Sequence, residues 1–432
     1  MRLRRSPLAA ALVALLGGCA ADPATAPSAP SARAPAVPEE ASTAVAGGAT
    51  IALPFGAACA LGGAGRAYCW GSNADGIGGD PARSGYADAS TAPRPVSGDG
   101  RYVALAATAT DQRDTPLTVC ALTADGEVDC WGANVGGLLG AADARPCGAE
   151  VAGTTHPCNR APTRLATALR FRRLAVGPGL LCGIASDGLA YCWGDGPSGQ
   201  LGAGTGARRA AAPTRVAGDH RFVDLAAGET VVCGLTGAGA AWCWGEGTLG
   251  QLGDGRSASS DVPVRVATAE PLAQVAPHDR YTCGVTRAGG VLCWGWGAYW
   301  TLGSPTPARF RGANVPTPEF VPLRVGALSI AIGAGHHCVR AVSGEAVCWG
   351  WNLFHQNGPP DRPGCTGADA QADCTPGPAA PGIAFTELRT GSLNACGRAG
   401  DGAVHCWGFN AYGESGGPPG VAQARAARIV LP

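Results

Sequence analysis

The sequence contains no lysine, and all 32 of its basic residues are arginine. A chain without lysine cannot supply a phosphate-loop lysine, a Schiff-base amine or a Ser-Lys catalytic pair. Charged residues of either sign are also scarce, at 15% of the chain, and the net charge is zero. Because a neutral chain has no basic field to hold a nucleic acid backbone, we expect no nucleic acid partner.

Aromatic residues are few as well, at 6%, whereas glycine and proline are abundant, with 68 and 34 copies among 432 residues. Almost a quarter of the chain therefore consists of residues that favour turns, which argues against a helical bundle. The length is sufficient for two or three ordinary domains or for one large repeat architecture.

The N-terminus has the features of a bacterial secretion signal. Three arginines among the first five residues precede an apolar run, Leu8–Leu16, that is too short to span a bilayer. The Leu-Gly-Gly-Cys that ends at Cys19 is similar to a lipobox, so we predict a lipoprotein signal peptide at 1–18 and lipidation of Cys19. An ordinary secretory signal is the alternative. Residues 19–49, rich in Ala, Pro, Ser and Thr, are predicted to be a disordered tether.

Cysteine dominates the remaining chain, where Cys-x9-Cys-Trp-Gly occurs seven times. Asp-Gly or glycine-rich turn signals lie between the cysteines, so each copy is predicted to be a β-hairpin with the two cysteines opposite each other. Zinc is the competing interpretation, but structural zinc sites favour two to four residues between ligands. We predict intra-hairpin disulfides, and hence an oxidising compartment, for these pairs: Cys59 with Cys69, Cys120 with Cys130, Cys182 with Cys192, Cys233 with Cys243, Cys283 with Cys293, Cys338 with Cys348, and Cys396 with Cys406.

Two further cysteine pairs, Cys147 with Cys158 and Cys365 with Cys374, lie in long insertions at the same point of the second and sixth repeats. We predict disulfides here too. Because the insertions share a position in the repeat, both loops should rise from one face, which makes that face the candidate recognition surface. Tolerated loop growth is the alternative explanation.

Each hairpin is flanked by an upstream apolar element and by a downstream element close to Pro-x-Arg-Val, which gives four short strands per unit. Seven such units predict an all-β, seven-bladed β-propeller of four-stranded antiparallel blades. The final segment, Ala427–Pro432, is expected to pair with the first blade and so remove the open edges. The predicted propeller covers residues 50–432, with blades at about 50–98, 99–168, 169–218, 219–269, 270–326, 327–383 and 384–432.

The repeat resembles a known family. Gly-Leu-Thr-x-x-Gly-x-x-x-Cys-Trp-Gly followed by Gly-Gln-Leu-Gly, at 234–253 and partly at 183–202, is similar to the regulator of chromosome condensation repeat. The resemblance implies a seven-bladed propeller and, by family analogy only, nucleotide exchange on a nuclear GTPase. The lipobox, the disulfides and the neutral charge argue against that role. A secreted bacterial inhibitor of serine β-lactamases is similar to the same propeller, so inhibition of an envelope enzyme is a second alternative.

Two motifs have a catalytic or metal-binding appearance. Gly-Glu-Ser-Gly-Gly at 413–417 fits a nucleophile pattern, with Ser415 as nucleophile and His405 as a possible base, but a strand-to-helix elbow is foreign to an all-β repeat. We interpret it as a degenerate turn. His336 and His337 are neighbours in a strand, so their side chains should point to opposite faces and not share an ion. We predict no catalytic residue, no metal site and no cofactor.

Aromatic residues concentrate after Trp-Gly in blades five to seven. Since repeats place equivalent positions at the same height around a ring, these side chains should form one arc on one rim. Aromatic side chains commonly anchor protein interfaces and sugar sites, so this arc is the candidate binding patch; packing between blades is the alternative. The residues of the candidate aromatic rim are Trp296, Tyr299, Trp300, Trp351, Phe354, His355, Phe409 and Tyr412.

Together these features predict a non-enzymatic scaffold at the cell envelope, on its periplasmic or extracellular side. We expect it to be a monomer that touches the membrane only through its lipid anchor. Its partner would be an unidentified protein or glycan, bound through one loop-rich face of the propeller.

Overall fold

A computed structural model describes residues 48–83, 85–108, 110, 115–140, 146–147, 156–297, 313–361, 365–366 and 373–432. Cys19, the predicted signal peptide and nearly all of the predicted tether lie outside the described residues. The strands of the described part form seven separate sheets, each from a continuous stretch of chain. The predicted all-β, seven-bladed propeller is therefore confirmed.

Each blade consists of consecutive antiparallel strands. Blade one contains β1 (Ile51–Ala52), β2 (Ala57–Leu61), β3 (Ala67–Asn73) and β4 (Gly85–Pro95), and blade two contains β5 (Ala104–Ala107), β6 (Thr118–Leu122), β7 (Val128–Ala133) and β8 (Cys158–Arg164). Blade three contains β9 (Phe171–Gly177), β10 (Leu180–Ala185), β11 (Ala190–Asp195) and β12 (Arg209–Arg215), and blade four contains β13 (Phe222–Ala227), β14 (Val231–Thr236), β15 (Ala241–Gly245) and β16 (Ser260–Arg265).

The last three blades follow the same plan. Blade five contains β17 (Leu272–Pro277), β18 (Tyr281–Thr286), β19 (Val291–Trp296) and β20 (Asn314–Phe320). Blade six contains β21 (Ala327–Ile332), β22 (His336–Ala341), β23 (Ala346–Trp351), β24 (Cys365–Thr366) and β25 (Asp373–Pro378). Blade seven contains β26 (Phe385–Thr390), β27 (Asn394–Ala399), β28 (Val404–Gly408) and β29 (Gln423–Ile429). The first strands of neighbouring blades contact one another, so they surround the ring axis.

The Trp-Gly of every repeat forms a β-bulge on the third strand. In each blade the register with the outer strand shifts between the second hairpin cysteine and this glycine. All seven glycines have positive φ, from 89° to 108°, which disfavours any other residue. At Gly194 a side chain would also come within 2.2 Å of the Gly179 carbonyl oxygen. The bulge explains why glycine follows tryptophan in every copy.

The tryptophans of the same motif join neighbouring blades. All seven are at most 2% exposed. In six of them the indole N–H donates to a main-chain carbonyl of the preceding blade, as in Trp244 to Gln200, at 2.8 Å, and Trp294 to Gln251, at 3.0 Å. The accepting residue is always the seventh after the preceding blade's tryptophan. For Trp349 that position is Thr301, which lies outside the described residues.

All nine predicted disulfides are present. The seven hairpin bridges join residues that lie directly opposite in the ladder, with Cα atoms 4.1 Å apart. The two insertion bridges, Cys147–Cys158 and Cys365–Cys374, have Cα atoms 5.7 Å and 4.0 Å apart. The spacing of the cysteines was therefore a reliable guide to their pairing.

The prediction that the final strand pairs with the first blade is wrong. Strand β29 pairs with β28 and completes its own blade, because each blade is built from strands that are consecutive in the chain. Side chains close the ring instead. Glu387 of blade seven accepts the backbone N–H of Thr50, at 2.9 Å, and Ile51 packs in one apolar cluster with Ile429.

Outside the strands, single 3₁₀ turns occur at Gly63–Gly65, Ala74–Gly76 and Val135–Gly137. Within the described ranges, no helix combines the length and hydropathy that a membrane-spanning helix needs.

Candidate functional site

Two sets of loops share one face of the propeller: those between the first and second strands and those between the third and fourth strands. We call this the insertion face, since both disulfide-bonded insertions belong to the second set. In every blade the residue after Trp-Gly donates its backbone N–H to a carbonyl of the loop between the first and second strands. Trp296, for example, donates to the carbonyl of Arg280, at 2.9 Å, and Trp351 donates to that of Gly335, at 2.8 Å. This repeated bond fixes equivalent residues at one height.

Three of the predicted rim residues form a continuous cluster that also contains one residue the sequence did not indicate. The ring of Phe354 lies 6.2 Å from that of Trp351 and 5.1 Å from that of Phe409, both edge-on. Phe409 in turn lies 6.3 Å from Phe55 of blade one. We call Phe55, Trp351, Phe354 and Phe409 the aromatic cluster. Phe55 is buried and the other three are half-buried, so the cluster both packs between blades and reaches the surface.

The other rim residues lie around this cluster or outside the described residues. Tyr412 packs against the core of blade one, with its ring on Gly56. Trp296 lies apart, under the guanidinium of Arg280, whose Cζ atom is 5.0 Å from the ring centroid; this is a cation–π contact. Tyr299 and Trp300 belong to a stretch that is not described.

His355 occupies an unusual position within the same arc. Its φ is +63°, in the left-handed region, and its ring is half-buried. Burial lowers the pKa of the imidazole below its ordinary value, so the ring is neutral at neutral pH. At the same position of the repeat, Gly199 and Gly250 have φ of +95° and +83°. The sequence alone showed a histidine replacing glycine but not the backbone strain that results.

The insertion of blade two is attached to blade one. His156 Nε2 lies 3.0 Å from Asp75 Oδ1, and the second carboxylate oxygen of Asp75 accepts the backbone N–H of Leu117, at 2.9 Å. The hydrogen bond with Asp75 raises the pKa of His156, against the effect of burial. The disulfide Cys147–Cys158 closes the same segment, so both a covalent bond and the hydrogen bond between His156 and Asp75 restrain it. The cysteine spacing predicts this disulfide, whereas no local pattern in the sequence marks Asp75 as the partner of His156.

In blade six the insertion disulfide instead extends the sheet. Cys365 pairs with Cys374 as β24 adds to β25, which gives this blade a fifth strand. The two insertions therefore have different structures, although they occur at the same point of the repeat.

Ser415 has the geometry of a turn residue. Its side chain is fully buried, and its hydroxyl donates to the carbonyl oxygen of Phe409, at 2.7 Å. Its backbone N–H donates to Asn410 Oδ1, at 2.8 Å, inside the same turn. The hydroxyl is thus bonded to main chain rather than presented to a substrate, which supports the interpretation of this motif as a degenerate turn.

The two neighbouring histidines pack on opposite sides of their strand, as predicted. His337 contacts Tyr281 and Trp349, with ring centroids 5.0 Å and 5.3 Å away. His336 packs against Gly333, and complete burial lowers its pKa to about 4. In the part of the chain that the structure describes, no three His, Cys, Asp or Glu side chains are grouped as a metal site would require.

Comparison with known families agrees with this geometry. Residues 187–235 and 238–285 match the model of the regulator of chromosome condensation (RCC1) repeat. The chain therefore carries RCC1 repeats, at 187–235 and 238–285, within blades three to five. Human E3 ubiquitin-protein ligase HERC2 is 31% identical over 148 residues, which are 33% of this chain but only 3% of that protein. The similarity therefore concerns the RCC1 repeats and not the whole relative.

Solved structures extend the similarity of fold to nearly the whole chain. Yeast RCC1 (Prp20), solved bound to Kap60, superposes with a TM-score of 0.71 at 19% identity, covering 96% of this chain and 91% of that one. Human WBSCR16 superposes with a TM-score of 0.69 at 19% identity, covering 85% and 95%. At these identities the likeness is one of fold.

Proposed function

We propose that this chain is a non-enzymatic scaffold, tethered at the cell envelope, that binds a protein or glycan partner through its insertion face. The observation that carries the proposal is the aromatic cluster, in which Trp351, Phe354 and Phe409 are half-buried and in contact on that face. Rigid aromatic side chains provide large contact area at small entropic cost, and they anchor many interfaces.

The rigidity of this face supports the same proposal. A hairpin disulfide and a glycine bulge precede every aromatic of the arc, and backbone hydrogen bonds tie Trp351 and Trp296 to the neighbouring loops. A surface that is ordered before binding loses little conformational entropy when a partner docks.

A capture experiment from the native cell envelope tests the binding face. We expect Trp351→Ala and Trp296→Ala to reduce partner capture by the full chain, each by about tenfold or more, because truncating an interfacial tryptophan commonly costs about 2 kcal/mol or more. Phe320→Ala is the matched control, since Phe320 is 61% exposed on the outer strand of blade five. Equal capture by all three variants would refute the aromatic face as the binding surface.

The tether is tested separately. Mass spectrometry of the purified chain should find an acylated Cys19 at the N-terminus, and Cys19→Ser should release the chain from the membrane fraction. An unmodified N-terminus elsewhere would exclude the lipid anchor without affecting the propeller's binding face.

Inhibition of an envelope enzyme such as a serine β-lactamase is the second candidate. The observation in its favour is the disulfide-closed segment held to Asp75 by His156, because a restrained loop suits insertion into an active-site cleft. Slower β-lactam hydrolysis in the presence of the full chain would support this candidate, and unchanged hydrolysis would exclude it for the enzyme assayed.

A further inference from the structure

The nine disulfides differ in how far solvent reaches them. Seventeen of the eighteen paired cysteines are at most 4% exposed. The exception is Cys365, which is half-buried. Because thiol–disulfide exchange begins when a thiolate approaches a sulfur atom, access decides which disulfides can react.

The hairpin disulfides are buried by the plan of the propeller. Their cysteines lie on the second and third strands of each blade, so a further strand runs on either side of each pair. All fourteen of these cysteines belong to the apolar clusters of the core. An attacking thiolate would have to carry its charge into a close-packed apolar interior, which costs a large free energy.

The insertion disulfide of blade two is buried in a different way. Cys147 and Cys158 are 3% and 0% exposed. Cys147 exchanges two backbone hydrogen bonds with His156, both 3.0 Å long, and His156 is in turn held by Asp75. This pair is the natural comparison for Cys365–Cys374, because both insertions occur at the same point of the repeat.

The position of Cys365 in its sheet explains its exposure. Cys365 lies on β24, which has only two residues and forms the outer edge of blade six. Cys374 lies one strand further in, between Cys365 on one side and Gly350 on the other, and is 1% exposed. The two ends of this disulfide therefore differ, since a reagent can approach Cys365 from solvent whereas Cys374 is covered.

Blade six does not need β24 to complete its sheet. The other six blades have four strands each, and β21, β22, β23 and β25 give blade six the same four. Strand β24 is attached to β25 by two residue pairs and by the disulfide. Opening Cys365–Cys374 therefore removes the covalent link of an additional strand and leaves the core of the blade intact.

We propose that Cys365–Cys374 is a thiol–disulfide exchange site whose substrate is a dithiol reductant protein of the thioredoxin type. Exposed disulfides are in general the labile ones, and this is the exposed disulfide of the chain. The exchange uses no residue of the aromatic cluster, so its test succeeds or fails independently of the proposed function.

The exchange has two steps. A thiolate of the reductant attacks Sγ of Cys365, the bond between Cys365 and Cys374 breaks, and Cys374 leaves as a thiolate that takes up a proton. The second thiol of the reductant then loses its proton and attacks the sulfur of the first, which releases Cys365 as a thiol. The reductant is oxidised to a disulfide, and the chain gains two electrons and two protons.

Selective reduction of the folded chain tests the site. The full chain carries Cys19→Ser, so that no other thiol of its own takes part. It is incubated with thioredoxin, thioredoxin reductase and NADPH, and the thiols that form are alkylated and located by peptide mapping. We expect Cys365 and Cys374 to be labelled faster than every other pair by about tenfold or more. Equal labelling of a hairpin pair or of Cys147 and Cys158, or no labelling of Cys365 and Cys374, would overturn the proposal.

Unfolding provides the control for burial. With dithiothreitol as the reductant, which acts in urea as well as in buffer, the preference for Cys365–Cys374 should be present in the folded chain and disappear in urea. A preference that persists in urea would overturn the assignment, because burial would then not be what selects the bond.

A trapping experiment tests the point of attack. Thioredoxin with its second active-site cysteine replaced by serine cannot complete the exchange, so it stays bonded to the sulfur that it attacks. We expect this bond on Cys365. A bond on Cys374 would contradict the assigned point of attack.

Two double variants complete the test. Cys365→Ser with Cys374→Ser should fold with a melting temperature close to that of the parent, since four strands of blade six remain, and it should lose the rapid labelling. Cys147→Ser with Cys158→Ser is the matched control and should keep the rapid labelling of Cys365 and Cys374. Equally rapid labelling of another pair in the first variant would overturn the proposal.

Discussion

Trp70, in the first blade, donates its indole N–H to the carbonyl oxygen of Glu414, in the last blade, at 2.9 Å. The bond belongs to the seam that closes the ring, and it is equivalent to the tryptophan bonds at the other described seams. The acceptor residue is distinctive here. Glutamine occupies this position in blades three, four and six, whereas blade seven places a fully buried carboxyl group at the seam.

Glu414 makes the stability of the ring depend on pH. One carboxyl oxygen accepts the backbone N–H of Tyr412, at 2.8 Å, and the other has no hydrogen-bond partner among the described residues. Burial raises the pKa of Glu414 from 4.5 to about 7. Between these values the folded chain holds a proton that the unfolded chain has lost, so stability decreases as pH rises from 4.5 to about 7 and stays lower above it.

We expect the substitution Glu414→Gln to remove this pH-dependent loss of stability. We expect the variant to gain about 3 kcal/mol in free energy of unfolding above pH 7 and nothing below pH 4.5, measured by urea unfolding with disulfides intact. Gln200→Glu, the reverse change at an equivalent seam, is the matched control and should lose stability only at the higher pH. Parallel pH profiles for the parent and Glu414→Gln would show that the buried carboxyl is not the cause.

The sequence predicts the local structure of each blade because the decisive signals are close together in the chain. Cysteines such as Cys182 and Cys192 are ten residues apart around a turn, so the ladder register follows from their spacing. The glycine after each tryptophan marks the bulge for the same reason. Seven copies of one local pattern then determine the number of blades.

The contacts between blades could not be predicted in this way. Phe55 joins the aromatic cluster from a loop outside the repeated motif, and Asp75 meets His156 from a different blade. Ring closure depends on Thr50 and Glu387, which are 337 residues apart.

The nine disulfides predict the thiol content of the chain. In the unfolded but unreduced protein, thiol titration should find at most one free cysteine, Cys19, because all the others are paired. Removing one hairpin bridge with Cys182→Ala and Cys192→Ala should lower the free energy of unfolding by about 3 kcal/mol, the loop-closure value for a short loop. Several free thiols in the parent chain would contradict the pairing.

The left-handed backbone of His355 provides a test of whether local strain is retained for binding. A residue with a Cβ atom loses about 1 kcal/mol in this conformation, and Gly250 occupies the equivalent position without that cost. His355→Gly should therefore raise the free energy of unfolding by up to about 1 kcal/mol in chemical denaturation. His355→Ala, which removes the imidazole but keeps the Cβ atom, should bring no such gain.

The same two variants separate stability from binding. If the imidazole contributes to the insertion face, both variants should capture less of the envelope partner, even though His355→Gly is the more stable protein. A natural sequence keeps a strained residue against its own stability when the side chain has another role, and functional sites are where such strain concentrates. Equal stability of His355→Gly and His355→Ala would show that the backbone carries no strain here, and full partner capture by both would show that the histidine has no part in binding.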